Sequence, residues 1–587
     1  MAIAKKGNNM KKRILSIFLA AVMVLSMIHL VVFTVVASGS ETGGDGVVKD
    51  ANGNVAADEE WYDANVTDLY IWDVSDMLAY GKEMANHDNF SSDFAFDGQV
   101  IHIMADLDMS EVANWFDYIK RGRVFSGIID GHGHTISNLK WNGVYDAQGV
   151  IDRENTYGGL LGGLIVPGTD MAPNSEYNAY AGVFDLSIVD SSIQTGGFWV
   201  GSLFGAAHAP EGSFFDTVEK PCVFENIYVD VDVTTYAETK YKTWTNADTY
   251  ETLRGAGVDG IWNNAYVGSA VYVGGLIGAC NYGTDTIIND TVFAGSVVVA
   301  DNTFTDCVGG FVGEVLGISE NSKSTFKVSN SAMYGTVNVK SSDYKSAVVG
   351  VISNDVTTDN IWFDGCISAG TIKFGGPKNS HPFTNPSSGD AKVGISNCYY
   401  APFFVNETKV SFGTKVSNSR FELSNNTEVA TSDSLKTVSI EGYVNMPNEA
   451  TLPVPVGVVN MVRGTSDNKT QYLGYQIGTD SIRFVAGGDD TTYTSVGFDV
   501  SVFTEGTLVS GGIKHDTTTV YSSVQGTVNG VDKTYSSTEF GVNYLYTIIC
   551  ENIPANKEIT FVVKTYHVAD TDTVYDDVYV ITVGNAS

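Results

Sequence analysis

Asp130-Gly131-His132-Gly133-His134 gathers side chains well suited to chemistry within this 587-residue chain. One carboxylate and two imidazoles at alternate positions would share a face of an extended segment, and such a donor set can chelate a metal ion. The same residues have a plainer use. Asp and Gly at a strand end make a tight turn, because glycine tolerates positive φ and an Asp side chain bonds backbone two residues on. The turn is the favoured reading, so no metal site and no catalytic residue are assigned. A second concentration is aromatic. Residues 236–270 carry Tyr236, Tyr241, Trp244, Tyr250, Trp262 and Tyr266, with Asn and Asp between them. Such rings stack on sugars while neighbouring amides bond sugar hydroxyls. Trp244, Tyr250, Trp262 and Tyr266 are therefore the candidate ligand-binding residues, and packing against the rest of the chain is their competing use.

The elements that must position these residues read as β structure. Phe125 to Ile129 is an apolar run, and apolar residues resume at Ile136 and Leu139, as expected for two short strands joined by a glycine turn. Val100 to Met109 is a further strand-like stretch. Downstream, Gly274-Gly-Leu-Ile-Gly278 recurs as Gly309-Gly-Phe-Val-Gly313 and, weakened, as Val349-Gly-Val-Ile-Ser353, with earlier copies at Gly159–Gly162 and Gly201–Gly205. A second motif alternates with it. Ile288-Asn-Asp-Thr-Val-Phe-Ala-Gly295 matches the segments ending at Gly335 and Gly370, so the shared glycine steps by 40 and then 35 residues. A nearly fixed period of this size marks a stacked array. With Val-, Ile- and aromatic-rich strands and no amphipathic helix between copies, a parallel β-solenoid is expected, each coil adding about 4.8 Å. The glycines are expected at coil corners, with the apolar pairs pointing inward. A phosphate-cradling loop would need a helix after the glycines, and none follows. The one helix predicted covers residues 72–86, where Val74, Met77, Leu78, Met84 and Ala85 recur at helical spacing. Asp73 or Ser75 can cap its start and Asn86 can end it.

This order of helix, Asp-Gly-x-Gly-His turn and Gly-Gly-apolar-apolar-Gly blocks resembles the GLUG-repeat family of bacterial surface proteins. The resemblance covers roughly residues 70–400. It implies a right-handed parallel β-helix, with the 72–86 helix plugging the open first coil, and a place on the cell surface. The plug has a physical reason, since the end of such a stack exposes unpaired backbone groups and an open core. Two enzyme families also use β-helices. Gly131-His132-Gly133 matches the middle motif of polygalacturonase-like hydrolases, but no Asn-Thr-Asp precedes it and no Arg-Ile-Lys follows it. Pectate-lyase-like enzymes need Ca²⁺ carboxylates and a basic residue on one face, and that set cannot be placed here.

Charge and composition narrow the partners. The chain has 34 Lys and Arg against 68 Asp and Glu, a net −34. Five of the basic residues (Lys5, Lys6, Lys11, Lys12, Arg13) lie before Ala37, where no acidic residue occurs, leaving 29 against 68, or −39, for the rest. Such a surface repels nucleic-acid phosphates and anionic membranes. Ca²⁺ binding by its carboxylates has no Asp-x-Asp-x-Asp-Gly loop to anchor it, so no cofactor is assigned. Lys11-Lys12-Arg13 followed by an apolar run to Val35-Val36-Ala37 reads as an export signal over 1–37, with cleavage after Ala37 and a retained anchor as the alternative. Residues 38–60 are expected to be a flexible spacer. The six cysteines form no C-x-x-C pair and are expected as small core residues, stacked between coils where they fall in the repeats.

The repeat signal fades over 401–455, and Pro447, Pro453 and Pro455 close that stretch. The β-helix is therefore expected over 61–440, with the insertion at 236–270, and a linker over 441–455. Residues 456–587 contain alternating segments such as Ser481–Ala486, Val496–Val502 and Ile559–Tyr566, separated by Gly-, Asp- and Thr-rich turns. A C-terminal β-sandwich is expected there. Ile-Arg-Phe-Val-Ala, then Gly-Phe, then Asn552-Ile-Pro554 resembles an Ig-like module found at the C-termini of Gram-positive surface proteins. Arg483, the one charge in its strand, is expected to pair with a buried carboxylate. The fold class is thus all-β. The expected function is a secreted or cell-surface, non-enzymatic, adhesin-like protein that contacts extracellular glycans or surface proteins. A carbohydrate-active lyase or hydrolase is the alternative. Any membrane attachment is expected through a retained N-terminal anchor.

Overall fold

Val, Ile and Phe at every second position give strands one face to bury, and the chain buries it between sheets. A computed structural model describes residues 46–86, 95–119, 125–143, 157–165, 173–195, 199–208, 221–235, 272–282, 284–299, 307–315, 325–340, 342, 344–352, 361–375, 380–386, 393–405, 408–410, 421–445, 452–462, 470–477, 481–488, 493, 495–504, 507–528, 531–537, 542–551, 559–569 and 572–583. The molecule is mostly β, and up to Glu428 nearly all its strand pairing is parallel. A 20-stranded sheet and two six-stranded sheets run through the repeats. One column of the large sheet can be followed from Asp68–Ile71 through Val100–Ile103, Ile128–Asp130 and the long strands Ala181–Thr195 and Pro221–Thr235. It continues through Asp285–Phe293, Phe326–Ser329, Ile361–Asp364 and Val393–Ser396 to Phe421–Ser424. Inward residues of all three sheets form one apolar cluster reaching from Ala57 to Phe421. Phe204, Phe224, Phe293, Phe311 and Phe326 are fully buried in it. Each such side chain stabilises the fold by roughly 1.5–3 kcal/mol relative to exposure.

The glycine blocks lie where two of the sheets meet. Gly274-Gly275 joins the strand Tyr272–Gly274 to Ile277–Tyr282, and Gly309-Gly310 joins Cys307–Gly309 to Val312–Val315. A Cβ on Gly275 would stand 2.0 Å from the carbonyl oxygen of Gly310, so adjacent repeats approach too closely there for any side chain. The predicted helix spans Val74–Asn86. Asp73 caps it, its Oδ1 accepting the Ser75 N–H at 2.7 Å. Met77, Leu78, Tyr80 and Met84 join the shared core, and the Tyr80 hydroxyl donates to the Leu161 carbonyl at 2.9 Å.

Two segments differ from the sequence expectation. Residues 46–60, the described part of the expected spacer, fold against the helix. Val48 N–H donates to Ser75 Oγ at 2.8 Å, Lys49 pairs with Glu111 at 2.6 Å, and Ala57 is buried. Just beyond it Trp61 is buried too, and these two apolar side chains anchor a stretch that otherwise reads as solvent-loving. The described part of the expected 441–455 linker, residues 441–445 and 452–455, is packed. Tyr443–Val444 pairs antiparallel with Val454–Pro455, and Tyr443, Val444, Val454, Val458 and Val459 form a second core with Val292, Ala332 and Ile367. Those three point away from the first core, so the segment roofs the outer face of the large sheet. The Tyr334 hydroxyl bonds the Pro453 carbonyl across that contact.

Beyond it, Thr470–Ile477, Ser481–Gly488 and Tyr544–Glu551 form a three-stranded antiparallel sheet. Ser495–Thr504, Thr507–Thr517, Ile559–Ala569 and Asp572–Val583 form a four-stranded one. Phe484 and Tyr546 of the first share a core with Phe498 and Phe561 of the second. Arg483 alternates with buried Ile482 and Phe484 and is itself half-buried. Two carboxylates are buried in this region: Asp577 accepts the backbone N–H groups of Tyr472 and Val578, each at 2.9 Å, and Asp576 accepts the Thr470 hydroxyl at 2.6 Å.

Candidate functional site

The strand Ile128–Asp130 ends in a turn made by its own last residue. Asp130 Oδ1 accepts the His132 N–H at 2.9 Å, and His134 N–H returns to the Gly131 carbonyl at 2.7 Å. His132 has φ 49° and Gly133 φ 78°, so two successive residues are left-handed. That breaks the alternation which would have set Asp130, His132 and His134 on one face. His134 turns to Asp106, its Nδ1 lying 3.2 Å from Oδ1. His132 instead meets His102.

Parallel register explains the meeting. His102 lies directly opposite Tyr70 on one side and Asp130 on the other. His102 Nδ1 and His132 Nε2 are 2.9 Å apart. The two rings are nearly parallel, at 19°, with centroids 5.1 Å apart. That separation is close to the N···N distance plus the two ring radii, so the rings sit edge to edge in almost one plane. On its far side His102 Nε2 contacts Asp68 Oδ1 at 3.1 Å. A carboxylate there fixes the proton on Nε2 and leaves Nδ1 an acceptor, so His132 Nε2–H is the donor between the rings. His132 is held below the usual imidazole pKa, chiefly by burial, against the pull of Asp130. Asp130 is buried, and its second oxygen accepts the Tyr177 hydroxyl at 2.6 Å; burial first, and this bond second, raise the phenol's pKa.

One ring nitrogen each of His102 and His132 and an oxygen of Asp130 thus lie within 4.8 Å of one another. His102 was not singled out from the sequence. The available signal was its place 28 residues before Asp130, one short repeat away at the same strand position, which only the register makes meaningful. The residues predicted to bind ligand, Trp244, Tyr250, Trp262 and Tyr266, lie outside the described residues, as do the 1–37 segment and its predicted cleavage point. Among the described residues no helix is long and apolar enough to cross a membrane. All six cysteines are free. Five are buried, and Cys366 N–H donates to Cys398 Sγ at 3.3 Å one repeat on.

No protein-family model matches the chain, and comparison with curated proteins and with solved structures gives no match either.

Proposed function

We propose that the chain is an exported, surface-displayed, non-enzymatic β-helix protein of the GLUG-repeat kind, carrying a C-terminal Ig-like β-sandwich and binding neutral glycans through residues 236–270. One observation carries this reading. The strands on either side of that stretch keep their places in the columns. Val233 pairs with Val297 of the next repeat, and Tyr272 and Val273 pair with Trp199 and Val200 of the preceding one. The 36 residues between Thr235 and Tyr272 are thus inserted between strands that keep their register, and an insertion in a repeat protein is a usual place for recognition. Stacked aromatic rings bind uncharged sugars without positive charge, which suits a surface of net −34. In this reading the parallel columns, roofed by residues 438–445 and 452–462, serve as a rigid stalk.

The test is a glycan array of plant, mucin and bacterial polysaccharides probed with the wild-type chain and with Trp244→Ala/Trp262→Ala. The double variant should lose at least tenfold in affinity, about 1.4 kcal/mol, with its Tm unchanged. Retained binding with a lowered Tm would make these rings packing residues. Reducing ends released by the wild-type chain and lost in His132→Ala would make it a carbohydrate-active enzyme instead.

A further inference from the structure

We propose that His102, Asp130 and His132 form a binding site for a divalent transition metal of the zinc class, which ties the turn Gly131–Gly133 to the strand Val100–Ile103. The argument rests on the donor set and its support. Two imidazole nitrogens face each other at 2.9 Å, and both histidines offer a ring nitrogen within 4.8 Å of the Asp130 carboxylate. Tetrahedral ligation at Zn–N about 2.0–2.1 Å spaces neighbouring donors by roughly 3.3 Å. The two nitrogens have to part by a few tenths of an ångström, the rings have to tilt so that their lone pairs converge on the ion instead of on each other, and the carboxylate has to close in. His132 can make that movement, since its side chain is 41% exposed. Asp130 has room for a third partner, because an ionised carboxylate offers about four lone-pair sites and the His132 N–H and Tyr177 hydroxyl use two.

The shell behind the donors is already in place. A metal-bound imidazole usually gives its other N–H to a carboxylate, which sets the tautomer and raises ligand basicity. Asp68 does this for His102 at 3.1 Å. When the metal takes His132 Nε2, the His132 proton moves to Nδ1 on the partly exposed ring, where water can accept it. Two nitrogens and one oxygen suit Zn²⁺, Co²⁺ or Ni²⁺ and exclude Ca²⁺, which takes six to eight oxygens. The fourth position is left to water. Backbone geometry also has His132 in a left-handed conformation between two glycines, where its ring is aimed back across the strand at His102.

The probe is Co²⁺ titrated into the untagged full-length secreted chain, followed by visible absorption, with Zn²⁺ competition and a Ca²⁺ control. One equivalent of Co²⁺ should give the intense band of a low-coordinate site, Zn²⁺ should abolish it, and a hundredfold excess of Ca²⁺ should leave it intact. His132→Ala, at an exposed turn position, should lose the band with Tm unchanged in metal-free buffer. Asp68→Asn should weaken affinity about tenfold while the band keeps its shape, the mark of a positioning residue. His134→Ala, whose ring is turned to Asp106, should bind as wild type. Absence of the band, displacement by Ca²⁺, or undiminished binding in His132→Ala would each overturn the proposal. Glycan binding by residues 236–270 is independent of all these outcomes.

Discussion

Asn226 donates its side-chain amide to Asp185 Oδ1 at 2.9 Å, and both residues are left-handed, with φ of 54° and 50°. They are two rungs of one column. The register of their neighbours aligns Asp185, Asn226, Asp290, Asn330, Gly365, Asn397 and Asn425, and every one of them has φ between 44° and 62°. The large sheet turns a corner here, and the corner demands a conformation that only Gly, Asn and Asp adopt at low cost. Further side-chain bonds follow the same edge, including Ser329 to Asn289 at 2.8 Å and Asn397 to Asp364 at 2.8 Å.

This column sets the first prediction. Asn330→Gly should leave Tm within a degree or two of wild type, because it keeps the left-handed conformation. Asn330→Val should cost about 1–2 kcal/mol, since a β-branched residue cannot take that φ without strain. Thermal unfolding followed by circular dichroism decides it. Equal losses for the two variants would mean that the side chain, not the backbone, matters at this corner.

Part of the column was legible beforehand. Gly295, Gly335 and Gly370 lie five residues after Asp290, Asn330 and Gly365, and their steps of 40 and 35 residues are the steps of the corner itself. The rest was hidden by uneven lengths, 64 residues from Asn226 to Asp290 and 28 from Asn397 to Asn425, which no periodicity search aligns. The Val74–Asn86 helix and the strand alternation were legible because their signals are local. Residues 46–60, 441–445 and 452–455 pack where a spacer and a linker are expected, and the reason is the opposite one. Their composition is that of loops, and what orders them is apolar surface far off in sequence, as when Val454 packs with Val292 and Ala332. The candidate metal donors follow the same rule. Asp130 and His132 stood out by motif, while His102 and Asp68 joined them only through strand register.

Glycines separate two kinds of constraint. A Cβ on Gly335 would lie 2.3 Å from the Gly295 carbonyl oxygen and 2.7 Å from a ring carbon of Phe293. Gly133, at φ 78°, has open space around the same position. Gly335→Ala should therefore unfold the chain or lower its stability by several kcal/mol through overpacking, while Gly133→Ala should cost about 1 kcal/mol from backbone strain alone. Urea titrations of both variants would show the difference in midpoint, and similar midpoints would refute the close approach of the repeats.

Acidity at the corner predicts a pH dependence. Burial raises Asp290 to about 7 and Asp185 to about 6, with Glu225 adding to both and side-chain bonds from Asn289 and Asn226 opposing. Gly457 of the roof lies over this point, a Cβ there falling 3.0 Å from Asp290 Cβ. Both carboxyls have folded pKa values above their unfolded ones, so the folded state binds protons more tightly. Their contribution is full below about pH 4 and is lost as pH rises through 6 and 7. Tm should thus be higher at pH 5 than at pH 8. Asp290→Asn should raise Tm at pH 8 and flatten the slope between pH 6 and 8, a difference that isolates this group from general charge repulsion. An unchanged slope in Asp290→Asn would place the titration elsewhere.

The last prediction concerns how the C-terminal strands depend on the stack. Their own core, built on Phe484, Phe498, Tyr546 and Phe561, is distinct from the parallel one. Yet Val562, Val578 and Val580 turn to the other side and pack with Val458, Val459 and the outer face of the large sheet. Asn460 clasps Val580, donating to its carbonyl at 2.9 Å and accepting its N–H at 2.8 Å, and Lys564 donates to the Asn445 carbonyl at 2.8 Å. A fragment of residues 456–587 should therefore melt cooperatively, because its core is self-contained. It should melt below the same strands in the full chain, because the three valines lose most of their cover. Val580→Asp in the full chain should mimic that loss. It buries an unpaired carboxylate in the contact while leaving the core around Phe561 untouched, so two separate transitions should replace coupled unfolding in calorimetry. A fragment that stays unfolded by amide exchange would show that the parallel stack is required as a template. A Val580→Asp chain that still unfolds in a single transition at the wild-type temperature would show that the contact carries no coupling.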